Sequence, residues 1–91
     1  MDNDIRGILE EEKALGRKAQ QAYDSFIGPF IEGRKQLLFD AFEAVPANDT
    51  EQLQNIKLMS LALSSLDSEI IELINSGKMA SESLKKNEEL H

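Results

Sequence analysis

The chain contains no cysteine and no tryptophan, and among its 91 residues there are one histidine, two prolines and one tyrosine. Without cysteine there is no disulfide, no thiolate nucleophile and no cysteine-ligated zinc. The histidine is His91, the last residue, where nothing orients it and no ligand partner lies at helical spacing, so neither metal binding nor acid–base chemistry is expected of it. The five glycines, at 7, 16, 28, 33 and 77, are isolated and form no phosphate-cradling loop. No run of apolar residues is long enough to span a bilayer, and the opening Met1-Asp2-Asn3-Asp4 is acidic where a secretory leader is basic. A cytoplasmic protein with no membrane partner is expected. Basic excess is missing as well: 10 Lys and Arg stand against 17 Asp and Glu, a net charge of −7. That field repels phosphate backbones and disfavours direct nucleic-acid binding.

What is present describes a helical domain. A hydrophobic share of 41% with 30% charged residues is enough to build a core. From Ile5 the apolar residues recur in steps of three and four through Ile8, Leu9, Leu15, Ala19, Ala22, Tyr23, Phe26 and Ile27, a helix period, with Asn3 or Asp4 placed to cap the first turn. Gly28-Pro29 interrupts it, because proline has no amide to donate and its ring crowds the preceding turn. The stripe nevertheless resumes in phase through Phe26, Ile27, Phe30, Ile31, Leu37, Leu38, Ala41, Phe42 and Val45, all read as the inner face, so a kink or bend is expected here and not a hairpin. Val45-Pro46-Ala47-Asn48-Asp49-Thr50 reads as a loop, and Glu51 and Gln52, three positions after Asn48 and Asp49, complete a capping box. The next helix is expected to run to about residue 76, with Gly77 closing it in a left-handed conformation.

The fold expected is therefore all-α: a kinked helix pair over about 5–27 and 29–45, packed on one long helix over about 50–76, in an oligomeric helical bundle. A single helical domain spans 1–77, and 78–91, with only three large apolar residues, forms a weakly ordered or short helical tail. On the long helix Ile56, Met59, Leu63, Leu66, Ile70 and Leu73 alternate at three and four. Leu53, Leu58, Leu61, Ile71 and Ile74 widen the apolar surface beyond what one neighbouring helix covers. The six-residue seam is the expected surface for self-association or a partner.

Catalytic equipment is not found. Glu10, Glu11 and Glu12 point roughly 100° apart on a helix and cannot converge on one ion, so they read as a solvated face. Ser60, Ser64, Ser65 and Ser68 have no base beside them and read as small residues admitting a close neighbour. Glu-x-x-His pairs of the di-iron type are absent. No enzyme activity and no cofactor are expected. Arg17, Lys18, Arg34 and Lys35, with Tyr23, are candidates for contact with an anion or nucleotide if the kinked arm gathers them; the commoner role of such pairs is to neutralise acidic neighbours.

At Gly16-Arg17-Lys18-Ala19, Pro46-Ala47-Asn48-Asp49-Thr50-Glu51, Leu66-Asp67 and Asn75-Ser76-Gly77-Lys78-Met79-Ala80 the chain resembles a group of short helical proteins encoded by tailed bacteriophages. The likeness covers roughly residues 16–80. It departs at Gly28, where members carry an aspartate ahead of the proline. The resemblance implies phage origin and not mechanism. Joined to the surplus apolar surface of the long helix and the lack of catalytic equipment, it leads to the expectation of a phage accessory or virion-assembly protein, in the cytoplasm of the infected bacterial host or associated with the virion, acting by protein–protein contact as a homo-oligomer, with a phage structural or host defence protein as a further partner. Two alternatives are an anti-defence binder, working as an acidic decoy or a nucleotide-sequestering oligomer, and a DNA-packaging component.

Overall fold

The structure, a computed structural model, describes residues 3–89; Met1, Asp2, Leu90 and His91 lie outside the described residues. It is all-α. Helix α1 spans Asn3–Ala22, one turn of π-helix spans Tyr23–Ile27, α2 spans Gly28–Ala44, and α3 spans Thr50–Glu89. The first three run on as a single arm, which folds back against α3 in a long hairpin measuring 66 × 22 × 15 Å between Cα extremes. Its radius of gyration is 19.3 Å, where a globular chain of this length has about 12 Å.

Each element follows from local chemistry. Asn3 and Asp4 stand inside α1 and not before it; Asp4 lies in the first turn, where a carboxylate is favoured by the positive end of the helix dipole. At the expected kink the helix neither breaks nor reverses. The Gly28 amide donates to the carbonyl of Tyr23, five residues back. This widened turn contains Ser25, whose carbonyl lies four residues before Pro29 and would otherwise be crowded by the proline ring. The Ser25 hydroxyl donates to the Gln21 carbonyl at 2.6 Å. Gly28 is needed here, because a Cβ on it would stand 2.9 Å from the Tyr23 carbonyl oxygen and 3.0 Å from the Tyr23 ring. The α2 helix follows directly on the π turn, with no side-chain cap at its start.

The loop lies where the sequence implies, but only half of the expected capping box forms, because the Asp49 amide donates to the Pro46 carbonyl at 3.0 Å and not to the Gln52 side chain. Val45 is extended and its amide donates to the Ala41 carbonyl at 3.1 Å, closing α2. Asp49 Oδ1 accepts from the Gln52 amide at 3.3 Å, which caps the first turn of α3.

The expected end of α3 is corrected. Gly77 does not close the helix; no glycine has positive φ, and α3 continues without interruption through Gly77 to Glu89, so the described part of the expected tail is helical. The cause is tertiary. Gly77 is buried against Gly16 of α1, where an added Cβ would come 2.7 Å from the Gly16 Cα, and the mirror-image Cβ on Gly16 would come 2.6 Å from the Gly77 Cα. With both side chains missing, the helices touch backbone to backbone. Beyond this crossing Ala80 and Leu84 are 2% and 3% exposed, so three large apolar residues did not set the limit on what the segment could bury. Arg6 and Glu88 face each other at 3.6 Å across the open end, an exposed pair worth little by itself.

Candidate functional site

The inner face of α3 repeats at alternate steps of three and four through Leu53, Ile56, Ser60, Leu63, Asp67, Ile70, Ile74 and Gly77, all buried or half-buried. Serine, aspartate and glycine at these stations make a thin interface, and the bulky side chains beside them project sideways. The expected seam is thereby divided. Ile56 is buried under the chain's own arm, while Leu63, Ile70 and Leu73 are half-covered by it. Met59 and Leu66, one heptad apart on the flank, remain 52% and 50% exposed.

Across that flank the arm contributes aromatic surface. Phe26 and Phe30 stack at 5.7 Å between ring centroids, and the Arg34 guanidinium lies 5.3 Å over the Phe30 ring. Phe30, Arg34, Leu37, Leu38, Met59 and Leu63 line an open groove of about 280 Å³ between α2 and α3. A second groove on the opposite flank, about 370 Å³, lies between Leu38, Phe39 and Phe42 of the arm and Leu53, Ile56 and Ser60 of α3. Sequence periodicity identifies the α3 half of the first surface. It misses Phe26, Phe30 and Leu37, because on a helix with one stripe these read as core; only the thinness of a two-helix interface leaves them outside.

The candidate anion contacts do not assemble as one set. Arg17 and Lys18 stand 17 positions from Arg34 and Lys35 on the same arm, roughly 26 Å at the helical rise. Arg34 is committed to the Phe30 ring. The Tyr23 hydroxyl donates to Asp67 Oδ1 at 2.7 Å, and Lys35 Nζ approaches Asp67 Oδ2 at 4.0 Å. Hydrogen bonding to that carboxylate, then partial burial, then its charge hold the Tyr23 phenol above the ordinary tyrosine value of 10.0. Arg17 instead lines a groove beside the glycine crossing together with Lys13 and Lys78; Lys18 is exposed and does not line it.

Among the described residues there is no cluster of three His, Asp or Glu side chains able to hold a metal, and no helix is long and apolar enough to cross a membrane. Comparison with models of protein families, with curated proteins and with solved structures gave no match.

Proposed function

We propose that this chain is a non-enzymatic assembly subunit that works by protein–protein contact, first with copies of itself, through the flank formed by Phe30, Leu37, Met59 and Leu66. One observation carries the reading: the accessible surface is 6942 Å², about 1,600 Å² more than the roughly 5,300 Å² of a globular protein of 10.2 kDa. Per chain, that surplus is in the range one subunit contributes to a permanent interface. Its chemistry agrees, since Phe30, Leu37, Met59 and Leu66 are 46%, 59%, 52% and 50% exposed along one side. Isolated apolar residues on a surface are ordinary, whereas a continuous row of them marks a contact site.

Light scattering on a size-exclusion column tests it. The wild-type chain is expected as a dimer or higher oligomer at micromolar concentration, and Leu37→Asp with Leu66→Asp as a folded monomer. A wild-type monomer at high micromolar concentration, unmoved by these substitutions, would sink the reading. The phage accessory or virion-assembly role rests on the resemblance at Gly16-Arg17-Lys18-Ala19 and Gly77-Lys78-Met79-Ala80, and implies the infected host's cytoplasm or the virion as its place. Portal and terminase genes beside the coding sequence support it; early genes there favour counter-defence instead.

A further inference from the structure

The two stretches that meet at the crossing have the same order: Gly16-Arg17-Lys18-Ala19 on α1 and Gly77-Lys78-Met79-Ala80 on α3, each a glycine, a cation, one residue and an alanine. Because the helices are antiparallel and in backbone contact there, the cation after each glycine falls beside the same groove. That groove, about 190 Å³ and open to solvent, is lined by Lys13, Gly16, Arg17 and Gln20 from α1 and by Ile74, Gly77, Lys78 and Ser81 from α3. Both helices contribute at one spacing, i, i+3, i+4 and i+7, so the site has a local two-fold arrangement. Its polar lining consists of three cations, an amide and a hydroxyl, with no carboxylate, in a chain whose net charge is −7. None of the three cations is in an ion pair among the described residues, where Arg6–Glu88 and Lys35–Asp67 are formed.

Three cations lining one groove, none of them paired with a carboxylate among the described residues, give it a positive potential that favours an anion. We propose that this groove binds the phosphate group of a small molecule, seated between Arg17 and Lys78 with Lys13 at its edge. The planar Arg17 guanidinium offers a fork of donors to two phosphate oxygens, and the lysine ammoniums supply point charges. Ser81 and Gln20 add neutral donors. A volume of 190 Å³ suits a phosphate or diphosphate and is below the range that encloses a larger ligand, so recognition is of the phosphate and not of what it is attached to. The glycines serve the site indirectly: any side chain at Gly16 or Gly77 would push apart the two helices that carry the cations. This site lies away from the apolar flank and does not depend on self-association.

The test is titration of the full chain with inorganic pyrophosphate at constant ionic strength, followed by calorimetry and by the amide resonances of Gly16 and Gly77. Saturable binding is expected, with movement at both glycines and a rise in melting temperature by mass action. Arg17→Gln and Lys78→Gln are each expected to weaken binding about tenfold or more, and together to abolish it. Both side chains are exposed, so folding survives, which the unliganded melting curve verifies. Lys57→Gln, a remote cation, and Lys18→Gln, which neighbours Arg17 in sequence but does not line the groove, should change nothing. The proposal is overturned by absence of saturable binding at millimolar pyrophosphate, by equal losses in the Lys18→Gln control, or by binding confined to single-stranded DNA with none to pyrophosphate.

Discussion

The two halves of the hairpin differ in a way their compositions do not foretell. Where α1 crosses the second half of α3, small residues set the approach, and Gly16, Gly77 and Ala80 are buried together with Ile74 and Leu84. Where α2 lies along the first half of α3, aromatic and branched side chains are plentiful, yet only Ile31 and Ile56 are buried, and nine of the fourteen large exposed apolar side chains among the described residues fall between Phe26 and Leu66. Contact between the helices is correspondingly closer where α1 crosses α3. In a two-helix hairpin each helix has one neighbour, so burial is governed by how near the axes come. Glycine and alanine let them come near; phenylalanine and leucine hold them apart and are left wet.

The sharpest way to break this comparison is to add a methyl group at the crossing. Gly16→Ala or Gly77→Ala puts a Cβ 2.6 or 2.7 Å from a facing Cα, and backbone cannot rotate aside as a side chain can. Such overpacking is expected to cost about 3 kcal/mol, outweighing the roughly 1 kcal/mol by which alanine favours the helix. Thermal and urea denaturation would measure it. An unchanged melting temperature would mean that the axes are farther apart than backbone contact, and the distinction between the halves would go with it.

A matched truncation on one helix comes next. Leu84, 3% exposed, and Leu58, 63% exposed, both belong to α3. In dilute solution Leu84→Ala is expected to lose about 2 kcal/mol, at the low end for a core leucine because the interface is thin. Leu58→Ala should lie within about 0.5 kcal/mol of wild type. Similar losses at both positions would show that the supposedly wet half is sealed, by a second copy if the difference grows with concentration.

Much of this architecture is legible from residue spacing. Helices with steps of three and four, a loop at Val45–Thr50 and the Asp49 cap all rest on chemistry within a few positions of each residue. Gly77 is not legible in that way, because a glycine near the end of an apolar stripe has the same local signature whether it closes a helix or meets another backbone; its partner Gly16 is remote in sequence. The extension of α3 to Glu89 was hidden for the same reason, since Ala80 and Leu84 are buried by a crossing that only the fold reveals. The π turn is not legible either: steps of three and four cross Gly28-Pro29 without a gap, so nothing in the spacing tells a widened turn from a regular one. Of the candidate contacts, Met59 and Leu66 were visible as members of the apolar seam, though not as the part of it left on the flank, while Lys13 and Lys78 gain meaning only beside Arg17.

At the junction of the two halves Tyr23 donates to Asp67. Removing the proton destroys that hydrogen bond and sets two anions side by side, so the folded-state pKa of Tyr23 lies above its unfolded value of 10.0. A group raised in the folded state contributes stability fully below the unfolded value and loses it as pH climbs through the folded one. The expected outcome is a melting temperature that falls above pH 10 more steeply in wild type than in Tyr23→Phe, with the two curves parallel between pH 7 and 9. Parallel curves up to pH 11 would remove the bond from the account of how the halves are joined.

The smallest effects sharpen the comparison from the side of its controls. Gly7 on α1 and Gly33 on α2 belong one to each half, are exposed, and would place an added Cβ with nothing within 4 Å. Alanine there restricts the unfolded chain without meeting a neighbour, so Gly7→Ala and Gly33→Ala should each stabilise by about 0.5 to 1 kcal/mol, and together by the sum, as distant substitutions do. Gly28→Ala gains nothing, because the Tyr23 carbonyl and ring stand in the way at 2.9 and 3.0 Å. One substitution at chemically identical residues thus changes sign with position, and the sign reports whether a second backbone is near. If Gly7→Ala and Gly16→Ala moved stability alike, helix propensity alone would account for both, and the close half of the hairpin would have no packing to distinguish it from the open one.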